Sequence, residues 1–434
     1  MKIAIPKERR PHEARVAASP ETVKALVGLG ASVAVEKAAG LGAAITDEAF
    51  KAAGATIAKD AKTALSGADI VLKVQRPTAG DEGTDEFALI QKGALVCAIF
   101  DPLRDKVGVE AAAKAGVTAF AMEMIPRITR AQAMDVLSSQ ANLAGYKAVL
   151  DAAAEFGKAF PMMMTAAGTI APARALVMGA GVAGLQAIAT ARRLGAVVSA
   201  TDVRPAAKEQ VESLGGTFVA VEDEEFKQAE TAGGYAKEMS DAYKKKQAEL
   251  IAETIAKQDI VITTALIPGR PAPKLIDEAM VKSMKPGSVI VDLAVENGGN
   301  CTLSQAGKVV TKHGVRIVGH LNVPSRLAVD ASALYAKNLL NLMKLLIDSE
   351  SKALKIDWED DIVKGTCITH DGKVVHPQIG GQDAGTPKED GPKDTEPEDD
   401  GSKSDGSKSD GSKSSGAKSG GAKTKAPKKN GEAA

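Results

Sequence analysis

Gly179, Gly181 and Gly184 stand with G-x-G-x-x-G spacing in the run ALVMGAGVAGLQAIATARRLGA. The apolar stretch Ala175 to Met178 precedes them, and an Ala-rich window of helical periodicity follows. In that context each glycine has a physical role. The first permits a tight strand-to-helix turn, the second lets backbone approach a pyrophosphate, and the third lets the helix pack on the strand. The helix N-terminus adds orphan N–H groups and a positive dipole end for phosphate oxygens. Asp202 closes the next strand, Val197 to Thr201, at the separation of about 20 residues from which a carboxylate accepts hydrogen bonds from ribose hydroxyls. The chemistry is that of a dinucleotide site built from Gly179, Ala180, Gly181, Val182, Gly184, Asp202 and Val203. A carboxylate there repels a 2′-phosphate, so NAD(H) is favoured over NADP(H). Arg204, also at the site, is the one feature pulling the other way. Only one such fingerprint is present, so a hydride leaving it goes to a small substrate or to a cofactor on another chain.

Other candidate residues surround this unit. The strand-end loops Thr264 to Arg270 and Glu296 to Asn300 fall where doubly wound sheets bind nucleotides, which brings in Thr264, Ala265 and Leu266. The charged insert EDEEFKQAETAGGYAKEMSDAYKKKQ carries Gly233-Gly234 beside Tyr235, with Met239 four residues on, and reads as a glycine-hinged lid with an apolar tip. In RITRAQAMDVLSSQ, the spacing of Gln132, Asp135 and Ser138 or Ser139 predicts one polar stripe on a helix, by itself a solvated face. Cys97, Cys301 and Cys367 are far apart and the histidines lack ligand spacing, so no metal site is expected.

These residues need a scaffold. The 434 residues suffice for two or three domains. Short β-branched runs alternate with Ala-rich helical windows, the pattern of parallel sheets covered by helices. Strands are expected at Ile3–Ile5, Val33–Val35, Ile70–Val74, Leu95–Phe100 and Val117–Ala121, then at Ala175–Met178, Val197–Thr201, Thr217–Val221, Ile260–Thr263, Val289–Leu293 and Arg316–Val318. ADIVLKVQRP with KGALVCAIF parallels QDIVITTALIPGRP with PGSVIVDLA, which suggests two similar domains. The fold class expected is α/β: two Rossmann-like, doubly wound parallel-sheet domains joined by long helices, about Arg130 to Phe156 and Pro324 to Ser349, plus a disordered C-terminal tail. The domains expected are residues 1–137 with 329–382, residues 138–328, and a low-complexity tail at 383–434, too poor in apolar residues to offset its ordering entropy. Lys plus Arg and Asp plus Glu are equal at 55 each, which argues against nucleic acid as a partner. No signal peptide and no membrane span is read from the sequence.

PKERRPHEARVAASPETVKALVGLG, the fingerprint region and VDLAVENGGN together resemble the alanine dehydrogenase and pyridine nucleotide transhydrogenase family over essentially residues 1–380. His12 departs from the asparagine common in the first motif. MIPRITRAQAMDVLSSQANLAGYKAV is similar to the transhydrogenase branch. That resemblance implies an NAD(H)-binding component, homodimeric, docked peripherally on the cytoplasmic side of a membrane-spanning proton-channel component and working with an NADP(H)-binding component. It also implies that Arg127, Gln132, Asp135, Ser138 and Ser139 surround the nicotinamide end, with Gln132 closest to the chemistry, and that Tyr235 lies on a loop closing over the nucleotide.

Chemistry separates the two branches. Interconverting an amino acid and a keto acid needs a carboxylate-binding group and acid–base groups. In the dehydrogenases the resemblance makes these an arginine, a lysine and a histidine. Arg15 and Lys73 match the first two, but Asp101-Pro102-Leu103-Arg104 stands where the histidine is expected. Hydride transfer between two nicotinamides needs only alignment, so the sequence favours transhydrogenation, with an NAD-dependent amino-acid dehydrogenase as the alternative.

Overall fold

Two parallel sheets share one strand order. In the computed structural model, which describes residues 1–227 and 239–380, the first half contains β1 (Lys2–Ile5), β2 (Ser32–Glu36), β3 (Thr56–Ala58), β4 (Ile70–Gln75), β5 (Leu95–Ile99) and β6 (Thr118–Ala121). A hairpin follows, β7 (Met163–Thr165) and β8 (Gly168–Ile170). The second half contains β9 (Arg174–Met178), β10 (Val197–Thr201), β11 (Thr217–Phe218), β12 (Ile260–Thr263), β13 (Val289–Asp292), β14 (Val309–Lys312) and β15 (Val315–Val318). The chain ends its described course with β16 (Cys367–His370) and β17 (Lys373–Val374).

The first sheet runs β17-β16-β6-β5-β4-β1-β2-β3 and the second β11-β10-β9-β12-β13-β15-β14. Leaving out the antiparallel additions β14, β16 and β17, each half has its strands in the order 3-2-1-4-5-6 of the doubly wound dinucleotide fold. The parallel between ADIVLKVQRP with KGALVCAIF and QDIVITTALIPGRP with PGSVIVDLA falls on β4–β5 and β12–β13, positions four and five of both sheets.

Burial explains why these segments are strands. Ile3, Ile5, Ile70, Leu72, Val74, Leu95 and Cys97 pack into one apolar layer, while the alternate residues Ala4, Val71, Val96 and Ala98 pack into another on the opposite face. Strands covered on both faces read as continuous apolar runs, as β4 and β5 do. Most of the strands that sequence alone did not indicate are short or exposed: β3 has three residues and β17 two, β7 and β8 are exposed throughout, and β14 is mostly exposed, whereas β16 is mostly buried.

Two helices tie the halves together. One spans Val136–Glu155, and the other, Ala328–Leu346, packs against it and returns the chain to the first sheet. There the buried Tyr335 hydroxyl donates to the Lys73 carbonyl at 2.9 Å. Both helices are shorter than the windows expected, because Thr129–Met134 and Val323–Leu327 form 3-10 turns ahead of them. The tail from Asp383, like the Gly233–Tyr235 tip of the insert, lies outside the described residues.

Candidate nucleotide-binding site

The fingerprint glycines occupy three different environments. Gly179 directly follows β9 at φ +102°, a left-handed conformation disfavoured for other residues, and a Cβ there would meet the Thr264 hydroxyl at 2.6 Å. Gly184 lies in the helix Val182–Arg193, where a Cβ would fall 1.8 Å from the Gly179 carbonyl oxygen, so only glycine lets the helix close on the turn. At Gly181 a Cβ would meet nothing within 4 Å. Gly181 is also the N-cap of that helix, and no side chain caps it. Open space before uncapped N–H groups is the cradle a pyrophosphate fills, so the residues present fit a dinucleotide.

The neighbouring strand ends complete the rim. Asp202, just after β10, accepts from Ala180 N at 2.7 Å. It is also bound by Arg204: the Arg204 main-chain N and Nε donate to Oδ1, both at 2.9 Å, and Nη2 donates to Oδ2 at 3.0 Å. Burial tends to raise the Asp202 carboxyl, but the hydrogen bonds from Arg204 and Ala180 outweigh it and hold the group below the usual carboxylate range. The Arg204 guanidinium is therefore tied to the Asp202 carboxylate. After β12, the Thr264 hydroxyl donates to the Gly179 carbonyl at 3.0 Å. Ala265 is held by Asn300, whose side chain accepts from Ala265 N at 3.1 Å and donates to the Ala265 carbonyl at 2.9 Å. Val182, Val203 and Leu266 remain exposed around these strand ends, apolar surface available to a flat ring.

Two organising residues stand behind this rim, of which the sequence indicated only the loop that carries the second. The first is Asp292, which closes β13 as Asp202 closes β10 and is buried. It accepts from Thr263 Oγ1, Ala294 N, Asn300 N, Cys301 N and Ser304 Oγ and so gathers the loop after its strand. Its signal was an acid at the end of an apolar strand. The second, Asn300, lay within the VENGGN motif, but only geometry reveals its grip on Ala265.

The polar segment differs from the helical stripe expected. Gln132 belongs to the Thr129–Met134 3-10 turn, and Asp135 is the N-cap of the next helix, accepting from Ser138 N at 2.9 Å and from Ser138 Oγ at 2.5 Å. An Asp side chain that captures its own chain's N–H groups ends one helical register and starts another. Arg127 and Gln132 are exposed, whereas Ser139 donates to Asn338 Oδ1 at 2.8 Å across to the Ala328–Leu346 helix. Tyr235 lies outside the described residues. Met239, expected near the lid tip, is instead buried beside Tyr243, which stacks on Phe226 with ring centres 6.4 Å apart.

Arg15 and Lys73 are committed to buried ion pairs. Arg15 donates to Glu13 through Nε at 2.8 Å and Nη2 at 2.6 Å, and also to Gln140 and Asn322. Lys73 Nζ stands 3.1 Å from Glu86 and 3.4 Å from Glu8. After β5, Arg104 pairs with Asp101.

The two halves match the alanine dehydrogenase/PNT family separately: its N-terminal domain over residues 4–144 and its C-terminal domain over residues 148–377. The first part of the NAD(P) transhydrogenase alpha subunit of Rhodospirillum rubrum is 65% identical over 384 residues, 88% of this chain and 100% of that protein. The crystal structure of transhydrogenase from Sinorhizobium meliloti superposes with a TM-score of 0.78 at 57% identity, over 86% of this chain and 100% of that one. An L-alanine dehydrogenase structure superposes with a TM-score of 0.72 at 26% identity, over 87% of this chain and 98% of that one. With both domains matched and the greater identity on the transhydrogenase side, the chain belongs to the alanine dehydrogenase/PNT family.

Proposed function

We propose that this chain is the NAD(H)-binding component of a proton-translocating NAD(P) transhydrogenase. It binds NAD(H) on the fingerprint loop and passes hydride directly to or from NADP(H) on a partner component, while a membrane-spanning component carries protons. The observation that carries this reading is an open dinucleotide cradle at Gly181 in a chain without a histidine where the dehydrogenase resemblance expects one. Asp101-Pro102-Leu103-Arg104, with no histidine, stands directly after β5, and Arg15 and Lys73 are engaged by Glu13, Glu8 and Glu86. Retention of Arg15 and Lys73 is what favours the second reading, an amino-acid dehydrogenase.

In this reading Gly181 and the Val182–Arg193 N-terminus receive the pyrophosphate, and Asp202 binds the adenosine ribose and selects NAD(H). Arg127, Gln132, Asp135, Ser138 and Ser139 attend the nicotinamide end, and Tyr235 closes from the insert. The nicotinamide, when bound, supplies or accepts the hydride; the chain positions it. The domain limits in this reading are 1–137 with 329–382, and 138–328, and the return of β16 to the first sheet supports the discontinuity.

A homodimer accounts for the β7–β8 hairpin. Met163, Met164 and Ile170 are exposed on it, as is Met162 just before it, and it belongs to neither large sheet. A peripheral place on the cytoplasmic side of the membrane belongs to the same reading, the spanning segments being supplied by the partner; no described helix of this chain is long and apolar enough to cross a membrane.

The test is a transfer assay with isotope on the reacting carbon of NADH. Alone, the chain binds NADH but turns over neither alanine nor pyruvate; with an NADP(H)-loaded partner, the label appears in NADPH without washing into water. Turnover of pyruvate with ammonia and NADH would install the second reading.

A further inference from the structure

Asp202 has no acceptor position left over for a ribose. An ionised carboxylate offers about four acceptor positions, and here Arg204 N and Nε fill those of Oδ1 while Ala180 N and Arg204 Nη2 fill those of Oδ2. Two of the four donors are main-chain groups that fix the carboxylate whatever the side chains do. The other two are the Nε–H and Nη2–H of one guanidinium, a rigid two-pronged donor. The vicinal 2′- and 3′-hydroxyls of an adenosine ribose are also a two-pronged donor, and they require those same two positions.

We propose that the Arg204 guanidinium is a built-in occupant of the ribose subsite, a latch that the ribose diol of NAD(H) must displace from Asp202. The inference rests on the reading of Asp202 as the ribose-binding residue. Exposure suits the exchange: the Asp202 side chain is 6% exposed and that of Arg204 34%, so the carboxylate stays while the guanidinium has a path to water. The latch also changes how the site discriminates. While it is closed, the carboxylate is paired and repels a phosphate weakly; what opens it is a replacement pair of donors. A 2′-phosphorylated ribose lacks the 2′-hydroxyl proton and offers only one. Selection then works through hydrogen-bond exchange as well as charge.

When a site is open for only part of the time, its apparent dissociation constant is the intrinsic one divided by the open fraction. Arg204→Met keeps the aliphatic stem and removes both prongs. It should tighten NADH about three- to tenfold, through faster association in stopped flow with little change in dissociation. NADPH should gain less, so the preference for NADH widens. In the unsubstituted protein, the Arg204 Nε–H signal in a guanidinium-edited NMR spectrum should shift when NADH is added. Weaker or unchanged NADH binding by Arg204→Met, faster dissociation, or an unmoved Nε–H signal would overturn the latch. Asp202→Ala separates the two readings. If it weakens NADH while Arg204→Met has no effect, the ribose site stands and the latch falls. If it leaves NADH binding intact, both fall.

Discussion

Gly145, within the Val136–Glu155 helix, faces Ala183 so closely that a Cβ on it would lie 2.0 Å from the Ala183 carbonyl oxygen. Ala183 is in the first turn of the helix Val182–Arg193. The connecting helix and the helix after the fingerprint turn therefore meet backbone to backbone, and the atom facing an added methyl is a main-chain carbonyl rather than the end of a flexible side chain. Through this contact the helix capped by Asp135 is held in fixed relation to the fingerprint loop.

Gly145→Ala should destabilise the protein by about 1–3 kcal/mol, the usual cost of overpacking, because backbone rather than a side chain must move. A lowered denaturation midpoint with an unchanged denaturant slope would show this; an unchanged midpoint would refute the contact.

Gly181→Ala should do the reverse. Its Cβ meets no protein atom within 4 Å, so unfolding should stay near that of the unsubstituted protein. The methyl enters the space proposed for the pyrophosphate, and NADH binding should weaken about tenfold or more. Calorimetric titration next to a melting curve measures both.

Gln132→Asn shortens the reach of an exposed amide by one methylene at the proposed nicotinamide end. Hydride transfer to a partner's NADP should slow far more than NADH binding weakens. Equal loss in both would make Gln132 a general binding residue, and no loss would return it to the solvent.

Two carboxyls give pH dependences of opposite sign. Burial works to raise Glu13, yet hydrogen bonds from Arg15, Gln75 and Asn322 hold it down to about 2. Its stabilising contribution is complete above the ordinary value of 4.5 and is lost as pH falls from there through about 2. Burial pushes Glu123 up to about 7 in spite of the N–H groups of Phe100 and Asp101. The folded chain thus keeps a proton that the unfolded chain releases, and stability declines as pH rises from 4.5 to about 7. Chemical denaturation across this range should show Glu123→Gln removing the decline toward neutrality and Glu13→Gln flattening the acid limb.

What the sequence disclosed followed from how uniquely a local pattern maps to a shape. Ala175–Met178, the three glycines and Asp202 were legible because strand, turn, helix and acid must follow in that order for a βαβ unit to work. The interior strands were legible because burial on both faces leaves long apolar runs. β16 was not, since CITH becomes a strand only by pairing with β6. The helix break at Asp135 was hidden because the spacing from Gln132 to Ser139 is compatible with one continuous helix, and only the capping bond decides against it. Asp202 followed by Arg204 was visible as two charges; that the second closes on the first is a matter of three-dimensional geometry.

The pairing of β16 with β6 also bears on how the chain is made. Emerging from a ribosome in sequence order, β6 leaves with one edge unpaired, and the segment that covers it, Cys367–His370, follows only after the whole second sheet. At the usual pace of synthesis, roughly 5–20 residues per second, that interval is on the order of tens of seconds. Throughout it the first sheet presents bare N–H and C=O groups that another nascent chain can pair with. The second sheet has all its strands within residues 174–318 and can mature first. Translation therefore delivers a finished second sheet before a finished first one, and a chain cut short before Cys367 carries a sticky edge.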